Sequence, residues 1–109
     1  MDAQSLDRPE LGERYRLALV KAAQLRGEAL TLERLHKRVF SRCYLSAEGT
    51  IAQRENEARV SAQYIAAEDS WLEKQSAADL AEAEAEAMRA RMEVWRSLNA
   101  TKRAEMMLR

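Results

Sequence analysis

Hydrophobic positions in the first half of the chain recur at alternating intervals of four and three. Leu11, Tyr15, Ala18, Ala22, Leu25, Ala29, Leu32, His36, Val39 and Cys43 keep this spacing without a slip. An α-helix brings positions three and four apart onto one face, so the run reads as a coiled-coil seam with one polar intruder, His36. Leu19, Val20, Leu30, Leu35 and Phe40 widen the seam toward a second contact face. The pattern predicts a helix over about 9–45, started by Asp7-Arg8-Pro9, where Asp7 caps free backbone N–H groups and Pro9 takes a first-turn position. Gly27 weakens this helix by about 1 kcal/mol relative to alanine without ending it.

Ser46-Ala47-Glu48-Gly49-Thr50 is the turn. Gly49 can take a positive φ, and Thr50 can cap the helix that follows. A second seam then begins: Val60, Tyr64, Ala67, Trp71, Lys74, Ala78, Ala81, Ala85, Met88, Met92 and Trp95, again with a single polar exception, Lys74. It predicts a long helix over about 51–97 and, after Asn99-Ala100-Thr101, a short helix over about 100–107. Two long helices joined by a short turn fold back antiparallel. The expected fold is all-α: a long antiparallel helical hairpin, coiled-coil-like, with a C-terminal helical extension. The whole chain reads as a single helical domain.

Composition sharpens this picture. Of 109 residues, 20 are Ala, 14 Glu, 14 Arg and 13 Leu, against three Gly and one Pro. Alanine buries little area, so a lone hairpin of this kind has a thin core, and association with copies of itself is the expected remedy. The stretch Ala77 to Ala87, AADLAEAEAEA, reads either as a solvated helical spacer or as a close-packed alanine seam.

Net charge is zero, which excludes a globally basic nucleic-acid binder but hides strong segregation. Residues 34–42 carry Arg34, Lys37, Arg38 and Arg42 and no acid. Residues 51–88 carry three basic against nine acidic groups. Residues 89–109 carry six basic groups, among them Arg89, Arg91, Arg96, Lys102 and Arg103, against two acidic ones. Arg34, Lys37, Arg38 and Arg42 share one side of the first helix, with Phe40 and Tyr44 close in sequence; Trp95 stands beside Arg96. Arginine with aromatic rings suits a single strand, because guanidinium groups pair with phosphates and bases stack on rings. The competing reading is an ion-paired or solvated face. The expected hairpin sets the two basic blocks far apart in one protomer, to be joined only across subunits.

The enzyme classes fare poorly. A single histidine allows no triad, a single cysteine no zinc spacing, and no Gly-rich phosphate loop exists, so neither catalysis nor a cofactor is expected. Glu33-x-x-His36 matches half of a di-iron bundle motif, which a homo-oligomer alone could complete. Glu82, Glu84 and Glu86 read as a solvated surface. No segment has the makeup of a membrane span or a membrane-surface helix. One cysteine and a polar N-terminal segment suggest the cytoplasm, that of the host for a phage-encoded chain.

The order of a helix ending in KRVFSRCYLS, a short turn, EARVSAQYIAAEDSWLEKQSAADL, and then RMEVWRSLNATKRAEM resembles the UvsY-like phage recombination mediators, over roughly residues 30–107. That resemblance implies a non-enzymatic, ring-like homo-oligomer. It would bind single-stranded DNA and help load a RecA-like recombinase onto strands coated by a single-strand-binding protein. It places strand contacts at Arg34, Lys37, Arg38 and Arg42, and oligomer contacts at Tyr64, Trp71, Met88, Met92, Trp95 and Leu98. The chain departs from the pattern in its short neutral turn and its Ala/Glu stretch at 77–87. The rival readings are a protein-binding helical module, such as a phage-encoded inhibitor or adaptor, and a structural coiled-coil assembly in which basic blocks neutralise a neighbour's acidic middle.

Overall fold

A computed structural model describes residues 10–108; the expected start at Asp7-Arg8-Pro9 lies outside them. The described residues form three α-helices and no strand: α1 (Glu10–Ser46), α2 (Ile51–Val60) and α3 (Ala62–Met107). The first helix and the turn follow the sequence expectation. Gly49 takes φ +110°. Thr50 and Gln53 form a reciprocal capping box: the Thr50 hydroxyl accepts from the Gln53 backbone N–H at 3.3 Å, and Gln53 Oε1 accepts from the Thr50 N–H at 2.9 Å.

A Cβ at position 49 would meet the Gln53 carboxamide. Gly49→Ala is therefore expected to cost about 1–2 kcal/mol, from the left-handed backbone and the displaced cap together. A lowered thermal midpoint is the expected reading; an unchanged one would contradict this account of the turn.

The second half differs from expectation in two places. The helix after the turn breaks at Ser61, which is extended (φ −66°, ψ 143°). Its N–H donates to the Ala58 carbonyl, closing α2, while its hydroxyl accepts from the Tyr64 N–H at 3.2 Å, opening α3. One serine thus serves both helix ends, because its short side chain competes well for backbone groups. The break re-phases the seam. Val60, expected on it, is 72% exposed, and Ala58 is fully buried instead. Conversely, no break occurs at Asn99-Ala100-Thr101, so the expected separate helix over 100–107 is the continuous end of α3. The Thr101 hydroxyl donates to the Ser97 carbonyl at 3.0 Å, bonding back onto its own helix rather than capping a new one.

Contacts divide the chain into two compact units. One takes in α1 from Ala23, the turn, α2 and α3 as far as Asp79. Here α1 and α3 run antiparallel, since Glu28 pairs with Lys74, His36 with Glu68, and Cys43 with Ser61. The polar exception Lys74 is explained: its ammonium reaches Glu28 at 3.1 Å. The other unit takes in the start of α1 up to Ala22 and α3 from Leu80 on; its buried residues are Leu11, Ala22, Ala81 and Ala85.

The described core is almost entirely alanine: Ala22, Ala29, Ala47, Ala58, Ala78, Ala81 and Ala85, with Leu11. Small side chains let helix backbones approach closely. Within AADLAEAEAEA the seam reading holds for Ala78, Ala81 and Ala85, while Glu82, Glu84 and Glu86 are exposed. Of the wider face, Leu19, Val20, Leu30 and Leu35 stay 42–50% exposed, and Phe40 alone is half-buried.

Candidate nucleic-acid interface

The seam of α1 passes through Leu32, His36, Val39 and Cys43, all sheltered. Arg34, Lys37, Arg38 and Ser41 occupy positions between them and so lie on the opposite side of the helix. Arg34, Lys37, Arg38 and Arg42 are all exposed. No acidic residue occurs from Arg34 through Ala47. Lys37 reaches one carboxylate, Glu33, at 3.4 Å. Arg34, Arg38 and Arg42 make no ion pair among the described residues. Lys37, Arg38, Ser41, Arg42 and Leu45 line a shallow, open depression of about 440 Å³. Unpaired guanidinium groups on a convex helix face can take phosphate oxygens in bidentate fashion.

The aromatic residues near this face are otherwise engaged. Phe40 meets Tyr64 edge-on at 5.5 Å and stacks with Tyr44 at 6.4 Å. The Arg54 guanidinium lies over the Tyr44 ring, 6.0 Å from its centre. The rings expected to stack on bases are thus spent on packing within the protomer. What remains on this face is charge.

The C-terminal block is divided. Arg89 is clamped between Glu86 and Glu93, the latter at 2.6 Å. Its hydrogen bond to Glu86, then the charges of Glu86 and Glu93, push its pKa further up, and the same bond holds Glu86 below the usual carboxylate range. Arg91, Arg96, Lys102 and Arg103 are exposed and make no ion pair among the described residues.

The residues expected at subunit contacts fall into two groups. Tyr64 and Trp71 belong to the protomer's own seam, where they sandwich His36: ring centres lie 4.7 and 5.0 Å away, at interplanar angles of 30° and 27°. Met88, Met92 and Trp95 are half-buried, and Leu98 is 56% exposed.

The members of the aromatic sandwich stand at seam positions of both repeats, and only the packing of α1 against α3 brings them together. His36 Nε2 lies 3.3 Å from Glu68, while its buried Nδ1 has no partner. Burial, then the hydrogen bond to Glu68, raises the Tyr64 phenol above its ordinary range. His36 turns to Glu68 and not to Glu33, and among the described residues no three His, Cys, Asp or Glu side chains gather as a metal site needs. No described helix is long and apolar enough to cross a membrane. Comparison with protein-family models, with curated proteins and with solved structures finds no match to this chain.

Proposed function

We propose that this chain is a non-enzymatic, self-associating helical protein that binds single-stranded DNA along the outer face of α1. In this reading it helps load a RecA-like recombinase onto strands held by a single-strand-binding protein. The observation that carries strand binding is the acid-free run from Arg34 to Ala47, with three of its four exposed cations unpaired among the described residues. Each protomer offers only a few phosphate contacts. Several copies bound to one strand add their contacts through effective concentration, which offsets the zero net charge. The choice of a single strand, the recombinase and the ring-like assembly rest on the resemblance to the UvsY-like mediators.

The test is a titration of a labelled oligonucleotide, single-stranded and duplex, over a range of salt. Binding should weaken steeply as salt rises. Replacing Lys37, Arg38 and Arg42 together by alanine should reduce the slope of log K against log salt by about 2 per protomer engaged, at about 0.7 per contact on a single strand. Helicity should not change. Wild-type affinity in the triple variant would remove the face from the function.

A second reading, a helical module for a protein partner, is favoured by the exposed apolar side chains Leu17, Leu19, Val20, Leu30 and Leu35. It is distinguished by the absence of strand binding even at low salt.

A further inference from the structure

The end of α3 carries a second stripe that the protomer leaves uncovered. Leu80, Ala83, Ala87, Ala90, Val94 and Leu98 are spaced by three and four residues and so share one face. All six are exposed, Leu80 by 62% and both Val94 and Leu98 by 56%. This face is distinct from the buried Ala81 and Ala85. Along its edge the charge changes sign: Glu84 precedes the midpoint and Arg91 follows it. Both are exposed and neither makes an ion pair among the described residues. Over the same helix the acids Glu82, Glu84 and Glu86 come first, and Arg91, Arg96, Lys102 and Arg103 follow.

We infer that the occupant of this face is a second copy of the same helix, packed antiparallel about a two-fold axis near Ala87. The orientation follows from the charges. Parallel copies would hold Glu84 of one copy and Arg91 of the other seven residues apart along the axis, about 10 Å, too far to pair. Antiparallel copies set Glu84 against Arg91 of the second copy, twice by symmetry. The same register sets Leu80 against Val94 of the second copy. The alanines at 83, 87 and 90 allow close approach at the centre, with the larger side chains at the ends. In this register the paired stripe, Leu80 to Val94, spans about 21 Å at 1.5 Å per residue. A single helix pair of that length is a small interface, so the dimer should dissociate on dilution. The inference rests on the self-association in the proposed function and specifies one contact of it, a two-fold pair, from which a ring would need a further, heterologous contact. It assigns Arg91 to that contact, leaving strand binding to α1.

Cysteine cross-linking of the full chain in a Cys43→Ser background tests it. Ala87→Cys should be joined to its own copy by a short bis-maleimide. Leu80→Cys alone and Val94→Cys alone should not, because antiparallel copies hold each of those positions about 21 Å apart along the axis. An equimolar mixture of the two should cross-link. Linkage of Leu80→Cys to itself, or none for Ala87→Cys, overturns the inference. Sedimentation gives a second readout that needs no cysteine. Glu84→Arg and Arg91→Glu should each weaken the dimer by about tenfold, and mixing them should restore it. Full-strength association in both single variants overturns the proposal. Strand binding separates the two ideas. A chain that associates and binds strands without the Ala87 link refutes only this interface. A chain that links at Ala87 while the α1 triple variant binds strands like wild type refutes only the strand-binding face.

Discussion

Ala78→Leu is expected to lower stability by about 2–3 kcal/mol. Ala78 has no exposed surface, and α1 comes close there, since Arg26 pairs with Asp79, the next residue of α3. A leucine has no free volume to enter, so either the helices separate or a side chain leaves its rotamer. Separation would also withdraw Lys74 from Glu28, one turn away on α3. The control is Ala66→Leu on the exposed side of α3, expected within about 0.5 kcal/mol of wild type. Urea unfolding should show a lower midpoint with an unchanged slope for Ala78→Leu alone. Equal midpoints for the two variants would mean that the alanine seam does not hold the helices together.

Trp71→Ala should cost nearly as much, by the opposite mechanism. The seam contains few large side chains, and Trp71 covers one face of His36, with ring centres 5.0 Å apart. Removing a core Trp costs about 3–5 kcal/mol, and the half-buried position of Trp71 brings the expected loss to about 2–3 kcal/mol. Opening the sandwich lets water reach the unpartnered Nδ1 of His36, which offsets part of the loss. For a domain of this size the thermal midpoint should fall by about 10–20 °C. Tyr64→Phe keeps the stacked ring and removes only the phenol hydroxyl, so it should cost far less. A Trp71→Ala protein no less stable than Tyr64→Phe would show that the sandwich contributes little.

The four-three spacing marked the sheltered positions well. Every seam residue from Leu11 to Cys43, and from Tyr64 to Trp95, is buried or half-buried. Periodicity carries that information because burial on one helix face is local to the helix. It misplaced Val60 because the repeat count runs through Ser61, and a count of residues does not register a change of backbone direction. The signal was present in Ser61, a strong N-cap residue, but Ser46, Ser76 and Ser97 lie within helices and look the same locally. The candidate strand face was equally legible, since four cations without an acid are a property of the chain. The aromatic contribution expected beside it was not, because whether Phe40 and Tyr44 face a ligand or Tyr64 and Arg54 depends on which segment packs opposite.

The sequence by itself determined that the chain is helical, where α1 ends in a turn, which face of α1 and of α3 is sheltered and how the charges are segregated. These follow from propensity, capping and period, all of which act over a few residues. Tertiary structure decided what fills the sheltered faces. It set Tyr64 and Trp71 on either side of His36 within one protomer, gave Lys74 its partner in Glu28, and left Leu80, Val94 and Leu98 uncovered. A helix face specifies that it should be covered and not by what; the partner is fixed only when distant segments meet in one register.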